Sequence, residues 1–281
     1  MTGLPTPSLP TPSLATPSLP TYDTLVVQHH GSAVVQLTIN RPAASNALNT
    51  QLGRDLVRAF EDDLPPMPGL RCIVLTGTGE KAFCAGGDLK ERRGMTDAQW
   101  AAQHLVFERM VRAMIDCPIP IIGAVNGAAY GGGAEIAGCC DFLYAAETAR
   151  FALVEVTLGI MPGAGGTQTL PRAMGERRAK ELLMTGRPFT AAQAHEYGLV
   201  NEVFPQTDLL PQALATAASI AGNAPISVRQ VKQSMHRGLQ MSLRDGLAFE
   251  IEAYNRMVPT EDRHEGVNAF NEKRKPVFQG R

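Results

Sequence analysis

Hydrophobic and polar positions recur with different periods along the chain, and each period predicts a type of secondary structure. Two β-branched runs, Thr24–His29 and Ser32–Thr38, flank a turn that contains glycine, so they predict an antiparallel hairpin. In Asn46–Leu64 and Asp97–Ile115, apolar residues recur instead at three- and four-residue steps, which is typical of amphipathic helices. The apolar stripe expected on the second helix consists of Trp100, Leu105, Phe107, Val111 and Met114.

Further along the chain, short apolar runs predict strands that alternate with loops and helices. Cys72–Leu75 and Ile121–Val125 are the clearest strands, because each lies between turn-forming residues. Two strands and a helix, followed by strand, loop and helix again, predict an α/β fold built from repeated ββα units. Further strands are expected at Phe142–Ala145 and Arg150–Leu153, and helices at Arg177–Met184, Ala191–Tyr197, Leu209–Ala221, Ile226–Arg237 and Leu243–Arg256.

The N-terminal segment differs in composition from the rest of the chain. TPSL occurs three times within residues 6–19, and proline at this density favours polyproline II or disorder. The segment lacks the charged start and apolar stretch of a signal peptide. We therefore predict a flexible tail over residues 1–21, a ββα core with the active site over 22–205, and a helical region over 206–281.

Composition and charge argue against several classes of function. The chain has 26 basic and 27 acidic residues among 281, and a net charge of −1 favours neither nucleic acid nor a membrane as the main partner. Its five cysteines include no C-x-x-C pair, and its six histidines lack metal-ligand spacing. No apolar run approaches the roughly 18 residues that a membrane-spanning helix needs. These observations predict a cytoplasmic protein without a metal site.

Three glycine-containing loops stand out, because each ends a predicted strand and begins a predicted helix. They are AFCAGGDLKE at 82–91, NGAAYGGGAE at 126–135 and LVEVTLGIMPGAGGTQ at 153–168. The first two place bare backbone N–H groups at or near a helix N-terminus. Two such groups that point at one spot would form an oxyanion hole, which stabilises a carbonyl oxygen as it gains negative charge. Neither of these two loops has a usual nucleotide-binding pattern.

The three loops resemble the signature loops of the crotonase superfamily, the enoyl-CoA hydratase/isomerase family, and the resemblance extends over Thr24–Phe278. FCAGGDLKER and the C-terminal PTEDRHEGVNAFNEKRKP are most similar to methylglutaconyl-CoA hydratases, with short-chain enoyl-CoA hydratases close behind. The resemblance implies a crotonase-like spiral of ββα turns whose C-terminal helices build trimers, often paired into hexamers. It also implies an acyl-CoA thioester substrate and no separate cofactor, because coenzyme A is part of that substrate.

The same resemblance assigns the oxyanion-hole amides to Gly87 and Gly132, and the catalytic glutamates to Glu135 and Glu155. Relatives with both carboxylates are typically hydratases, since water addition needs a base at C3 and a proton donor at C2. We expect both glutamates to hold the added water, with Glu155 the better candidate for protonating C2. An alternative is that one of them only caps a helix start, where the helix dipole favours a carboxylate.

The resemblance also implies a coenzyme A channel lined through backbone contacts. Asp88 is expected to cap the helix that follows Gly87, which leaves that amide aimed at the substrate. Lys273 is similar to a lysine that reaches the coenzyme A of a neighbouring subunit, although a solvated basic tail explains it equally well. Arg92 and Arg93 are the nearest candidates for meeting a second carboxylate on a glutaconyl-type acyl chain. The expected substrate- and CoA-binding residues are Ala44, Asn46, Leu48, Ala85, Gly87, Asp88, Leu89, Lys90, Gly132 and Lys273.

Three other functions are weighed against hydration. An enoyl-CoA isomerase can manage with one carboxylate, so the second glutamate argues against it. RNA binding would need a basic helix, but Lys90–Cys117 offsets its one lysine and four arginines with four acidic residues. A catalytically silent scaffold is disfavoured by the intact glutamate pair.

One departure from many hydratases is Val154, which stands where they have proline before the second glutamate.

Overall fold

The computed structural model describes residues 19–281, so the predicted flexible tail lies almost entirely outside the described residues. In this part of the chain, ten strands form two sheets, one of six strands and one of four. The strands are β1 (Leu25–His30), β2 (Val34–Ile39), β3 (Cys72–Gly77), β4 (Ala82–Cys84), β5 (Ile121–Val125), β6 (Ala128–Tyr130), β7 (Phe142–Ala146), β8 (Arg150–Ala152), β9 (Phe189–Thr190) and β10 (Glu202–Phe204).

Helices alternate with the strands in the first part of the chain and dominate it from Gly166 onward. None of the helices within residues 19–281 is both long and apolar enough to cross a membrane. The α-helices are α1 (Thr50–Arg58), α2 (Leu89–Arg92), α3 (Asp97–Asp116), α4 (Gly132–Gly138), α5 (Gly166–Met174), α6 (Glu176–Thr185), α7 (Ala191–Glu196), α8 (Leu209–Ala221), α9 (Pro225–Gly238), α10 (Leu243–Asn255) and α11 (Glu261–Asn271).

Strands alternate between the two sheets because the chain repeats a ββα unit. In three consecutive repeats, β3, β5 and β7 join the large sheet, and β4, β6 and β8, which follow them, join the small sheet. Within the small sheet, β4, β6 and β8 lie side by side and run parallel. Parallel strands present their carboxyl ends at one edge of a sheet, so the loops that leave these three strands emerge together. The predicted ββα repeat is therefore confirmed, and it brings the three glycine-containing loops to one place.

The large sheet holds much of the hydrophobic core. Its strand order is β1-β2-β3-β5-β7-β10, and only the β1–β2 hairpin, predicted from the sequence, is antiparallel. The central strands β3 and β5 are buried along their whole length, as parallel strands covered on both faces are. Helix α8 packs on these strands through Leu209, Ala213 and Ala217. The core thus extends past residue 205, and the proposed division at 205/206 stays a prediction.

Two sequence predictions in this part of the fold are wrong. The helix predicted from Asn46 begins at Thr50, because the Asn49 side chain accepts a hydrogen bond from the Leu52 N–H at 2.9 Å and so caps it. Asn46 itself has a φ of 58° and belongs to the preceding loop. On α3, Leu105 was placed in the apolar stripe but is 65% exposed. The residues that α3 buries are Gln103, Phe107, Met110, Ala113 and Met114.

Several short elements had no clear signal in the sequence. Ala82–Cys84 and Ala128–Tyr130 were assigned to loops, but they form β4 and β6 in the small sheet. Three residues are too few to establish a period of two, so only pairing with a neighbouring strand identifies them.

Candidate active site

The three glycine-containing loops meet at a pocket of about 390 Å³. The glycines of the first loop follow β4, those of the second follow β6, and the third loop follows β8, so the pocket lies at the edge of the small sheet where these strands end. Helix α3 forms a further part of its lining. The lining residues that carry the argument below are Gly87, Arg92, His104, Gly132, Glu135 and Glu155.

The Gly87 amide is left without a partner by the way its loop pairs with the segment before α1. Leu48 N–H donates to the Gly86 carbonyl at 2.7 Å, and Asp88 N–H donates to the Leu48 carbonyl at 2.9 Å. This one-residue parallel bridge uses the groups on either side of Gly87 but not its own N–H. Asp88 caps α2, as predicted, by accepting from the Lys90 N–H at 3.1 Å.

A side chain at each of the three consecutive glycines before Glu135 would meet a different neighbour. Gly131 has a φ of +48°, and a Cβ there would lie 2.9 Å from Glu155 Oε1. A Cβ at Gly133 would overlap the carbonyl oxygen of Cys84. A Cβ at Gly132 would lie 3.8 Å from the Gly87 nitrogen, so these two residues face each other across the pocket wall. Within residues 19–281, neither the Gly87 N–H nor the Gly132 N–H donates to another protein group.

Glu135 is held in place by the third loop. Its Oε1 accepts hydrogen bonds from the Ala164 N–H at 2.8 Å and the Gly166 N–H at 2.9 Å. The side chain is only 3% exposed, and this burial raises the pKa of Glu135 to about 7 against the opposing effect of the two N–H donors. Glu135 can therefore gain or lose a proton near neutral pH, as a general base requires.

Glu155 faces the same pocket from the turn that follows β8. It is 8% exposed, and its Oε2 is buried without a hydrogen-bond partner in residues 19–281. Burial raises the pKa of Glu155, and the nearby Arg92 guanidinium offsets this only in part. A buried carboxylate oxygen without a donor favours the protonated form, which suits a proton donor better than a permanent anion.

Of the two candidate arginines, only Arg92 reaches the pocket. Its guanidinium lies 4.3 Å from the centre of the Trp100 ring and 3.2 Å from the position of a Cβ at Gly87. Arg92 Nε donates to Gln103 Oε1 at 2.9 Å. Burial lowers the pKa of Arg92, although the neighbouring carboxylates counteract the shift. Arg93 is exposed and does not line the pocket.

The residues expected to contact coenzyme A divide into three groups. Asn46 and Asp88 use their side chains on the protein itself: Asn46 Nδ2 donates to the Ala82 carbonyl at 2.8 Å, and Asp88 pairs with Arg41 at 2.9 Å. These side chains therefore hold the loops in shape, and contact through their backbone stays a prediction. Leu48, Ala85, Gly87, Leu89 and Gly132 line the pocket, whereas Ala44, Lys90 and Lys273 lie outside it in a single chain.

Sequence reasoning missed two parts of the site. The Ala164 and Gly166 amides orient Glu135, although only the presence of glycines in their loop had been noted. Trp100, His104 and Phe107 line the pocket from α3. Their spacing of four and three residues was a usable signal, because it places all three on one helix face.

The arginines that RNA binding would need on α3 pair with acidic neighbours, Arg109 with Glu61 and Arg112 with Glu108.

Known proteins are similar to this chain over nearly the whole of its described part. A sequence model of the family described as enoyl-CoA hydratase/isomerase matches residues 29–281. The 2,3-dehydroadipyl-CoA hydratase of Escherichia coli is 42% identical, with 88% of this chain and 96% of that protein covered. The short-chain-enoyl-CoA hydratase of Clostridium acetobutylicum is 39% identical, with 90% and 96% covered. The crystal structure of an enoyl-CoA hydratase from Bacillus anthracis superposes with a TM-score of 0.90 at 43% identity, with 92% and 100% covered.

Proposed function

The chain belongs to the enoyl-CoA hydratase/isomerase family, and from this we propose that it adds water across the 2,3-double bond of an enoyl-CoA thioester. The observation that carries the proposal is the presence of two buried carboxylates, Glu135 and Glu155, in one pocket with the Gly87 and Gly132 amides. An isomerase that moves a proton between carbons can work with one carboxylate. Water addition uses two, one to accept a proton from water and one to donate a proton to C2.

The Gly87 and Gly132 amides would bind the thioester oxygen. As the nucleophile adds at C3, electron density moves from the double bond through C2 onto this oxygen, which becomes enolate-like. Two N–H donors without competing partners stabilise that charge more than they stabilise the neutral substrate, because they are already oriented before the reaction. The two amides therefore lower the barrier without being consumed in the reaction.

The two glutamates would divide the proton transfers. Glu135 accepts a proton from water, and the resulting hydroxide oxygen bonds to C3. Glu155 then donates its proton to C2 as the enolate electrons return to form the new C–H bond. The net change is addition of one hydrogen and one hydroxyl, and solvent exchange returns the proton from Glu135 to Glu155. The held Oε1 of Glu135 and the unpartnered Oε2 of Glu155 support this division.

The acyl chain proposed for this site ends in a carboxylate, as in 3-methylglutaconyl-CoA. The support is Arg92, a guanidinium inside the pocket whose terminal nitrogens have no carboxylate partner within residues 19–281. A positive group that is already stacked on an aromatic ring is well placed to receive a carboxylate. The name of the Escherichia coli relative, 2,3-dehydroadipyl-CoA hydratase, also refers to a substrate of this dicarboxylate type.

A panel of thioesters tests the function directly. Crotonyl-CoA, 3-methylglutaconyl-CoA and a 3-enoyl-CoA are each mixed with the protein, and absorbance of the conjugated enoyl thioester is followed. Hydration predicts loss of absorbance with the two 2-enoyl substrates. A gain of absorbance from the 3-enoyl substrate alone would indicate an isomerase, and no change with any substrate would contradict both activities.

Self-association into trimers or hexamers is proposed from the C-terminal helices. They expose large apolar side chains, among them Leu239 (79%), Leu243 (80%) and Phe270 (84%). Exposed apolar surface of this extent usually marks an interaction site. Multi-angle light scattering at micromolar concentration should give three or six times the monomer mass, and a purely monomeric protein would contradict the proposal.

A further inference from the structure

His104 is a polar residue on the pocket wall that the proposed water addition does not use. It lies on α3 between Trp100 and Phe107, and all three residues line the pocket. Its Nδ1 is buried without a hydrogen-bond partner in residues 19–281, and the nearest carboxylate oxygen, Glu108 Oε1, is 3.7 Å away. That distance is too long for a hydrogen bond. The imidazole is therefore not fixed by an ordinary structural contact.

The other ring nitrogen lies against the loop that carries the Glu135 donors. His104 Nε2 would be 2.6 Å from a Cβ at Gly163, so only glycine permits this close approach. Nε2 has no hydrogen-bond partner among the described residues, and it is not among their fully buried unpaired atoms. It therefore keeps some solvent-accessible surface, and both His104 and Gly163 line the pocket.

An accessible, unpaired nitrogen has a consequence for the acyl chain that fills the pocket. The same pocket also has apolar lining residues, which include Leu158, Ile160 and Met161. An alkyl chain in this space would strip water from Nε2 and give it no hydrogen bond in return, which is unfavourable. An acyl chain with an oxygen at this point would replace the lost water and avoid that cost.

We propose that His104 is a specificity-determining residue, which hydrogen-bonds an oxygen carried by the acyl chain beyond C3. Arg92 supports this assignment, because its guanidinium stacks on Trp100, one helical turn from His104 on the same face of α3. The guanidinium also lies 5.7 Å from the centre of the Phe107 ring. A terminal carboxylate can accept from both the guanidinium and the imidazole. The inference rests on the proposed hydration and deepens it by naming a second polar contact for the substrate.

A competing interpretation gives His104 only a positioning role. The imidazole packs on Gly163, and the next residue, Ala164, donates to Glu135. If His104 acted through this loop, its loss would misplace Glu135 and slow every substrate in the same proportion. Substrate recognition instead predicts that the loss depends on the acyl chain.

Two six-carbon substrates separate these interpretations, because they differ mainly in whether the chain ends in a methyl group or a carboxylate. They are hex-2-enoyl-CoA and 2,3-dehydroadipyl-CoA, assayed as kcat/KM for His104→Phe and for the unchanged protein. We expect about a 10-fold loss with the dicarboxylate and an unchanged or increased value with hexenoyl-CoA, since one hydrogen bond to a charged group is lost. His104→Gln, which retains a donor, should recover most of the dicarboxylate activity.

The control is Leu105→Phe, which adds the same ring at an exposed neighbouring position of α3. It should leave both substrates unchanged. Equal losses with the two substrates in both His104 variants, or no change in either variant, would overturn the proposal. Turnover by the unchanged protein separates this outcome from failure of the hydratase assignment: if none of crotonyl-CoA, hex-2-enoyl-CoA and 2,3-dehydroadipyl-CoA is hydrated, the proposed reaction itself is wrong.

Discussion

Two walls of the pocket are built from different parts of the chain and in different ways. The loop wall presents main-chain amides and two carboxylates, and backbone N–H groups of a neighbouring loop hold one of the carboxylates, Glu135, in place. The α3 wall presents long side chains that project from one helix face and from the end of α2. The loop wall consists of Gly87, Gly132, Glu135 and Glu155, and the α3 wall consists of Arg92, Trp100, His104 and Phe107.

This difference separates the requirements of the reaction from those of substrate choice. Stabilising a transition state needs groups that are already oriented, and the two N–H donors that hold Glu135 provide such orientation. Recognising an acyl chain only needs side chains of suitable size and charge, which can change without moving the loops. We therefore expect changes in the loop wall to slow all substrates, and changes in the α3 wall to alter the ratio between substrates.

The largest effect is expected from Glu155→Gln. The amide has nearly the shape of the carboxyl group but cannot donate a proton to C2, so kcat should fall by about 10²–10⁴-fold with every enoyl-CoA. Stopped-flow or steady-state loss of enoyl absorbance measures the change. Glu147→Gln, at an exposed turn outside the pocket, is the matched control and should keep full activity. Near-normal turnover by Glu155→Gln would remove Glu155 from the mechanism.

A smaller loss is expected from Gly132→Ala. The added methyl group would lie 3.1 Å from Leu48 Cδ2 and 3.8 Å from the Gly87 nitrogen, so it would occupy space needed by the thioester oxygen. We expect kcat to fall by about 10²-fold for all substrates, similar to the loss of one oxyanion donor. Thermal unfolding should change little, because the end of the Leu48 side chain can move. Gly133→Ala should instead reduce folded yield, since its methyl group would overlap Cys84.

The pH dependence of the reaction should report the ionisation of Glu135. Burial raises the pKa of Glu135 to about 7, so the base is increasingly protonated below that pH. We expect kcat/KM to rise with pH through about 7 and to fall by roughly 10-fold for each unit below it. Both hexenoyl and dicarboxylate substrates should give this profile. A rate that is independent of pH between 5 and 8 would exclude Glu135 as the base.

The raised pKa of Glu135 also predicts that folding stability falls as pH rises, whereas activity rises. Because the pKa of Glu135 is raised on folding, its contribution to stability is fully present at low pH and is lost as pH rises through about 7. The glutamine of Glu135→Gln does not ionise, so the variant does not lose stability in this way as pH rises. The melting temperature of the variant minus that of the unchanged protein should therefore be more positive at about pH 7 than at about pH 5. An equal difference in melting temperature at both pH values would contradict the shift.

On the α3 wall, Arg92→Met should alter the substrate ratio with less effect on the chemistry. We expect about a 10-fold loss of kcat/KM for 2,3-dehydroadipyl-CoA relative to hex-2-enoyl-CoA, because a charge-assisted hydrogen bond is lost. Arg93→Met is the matched control, since Arg93 directly follows Arg92 at the end of α2, is exposed and does not line the pocket. Equal losses with both substrates would place Arg92 with the loop wall and break the distinction between the walls.

The smallest effect is expected from Lys273→Ala. Lys273 is exposed and lies outside both walls in a single chain. The resemblance implies that it contacts the coenzyme A of a neighbouring subunit. An exposed charge pair contributes little, so KM should rise by only about 2- to 5-fold, with kcat unchanged and the effect weaker at high salt. An unchanged KM at low salt would favour the solvated-tail interpretation of Lys273.

Elements with a strong local pattern could be predicted closely from the sequence. Ile121–Val125 and Leu209–Ala221 have the predicted bounds, because turn-forming or polar residues end each apolar run. The start of α1 was misplaced, because Leu48 fits the same apolar period as the helix although it precedes the cap at Asn49, and Asn46 has a left-handed backbone. Strands β4 and β6 could not be predicted, because only pairing within the small sheet identifies three-residue strands.

The kinds of groups in the site follow from local sequence alone. Glycines at strand-to-helix junctions leave N–H groups free, and Glu135 and Glu155 follow such strands at fixed offsets, so the resemblance could assign them. Their meeting was decided by tertiary structure. The amides of Ala164 and Gly166 reach Glu135 from about thirty residues away. Arg92, His104 and Glu155 line one pocket at the edge of the sheet where three parallel strands end. Long-range pairing of this kind has no periodic signal in the chain, so the sequence could name the groups proposed to react but not the walls that hold and surround them.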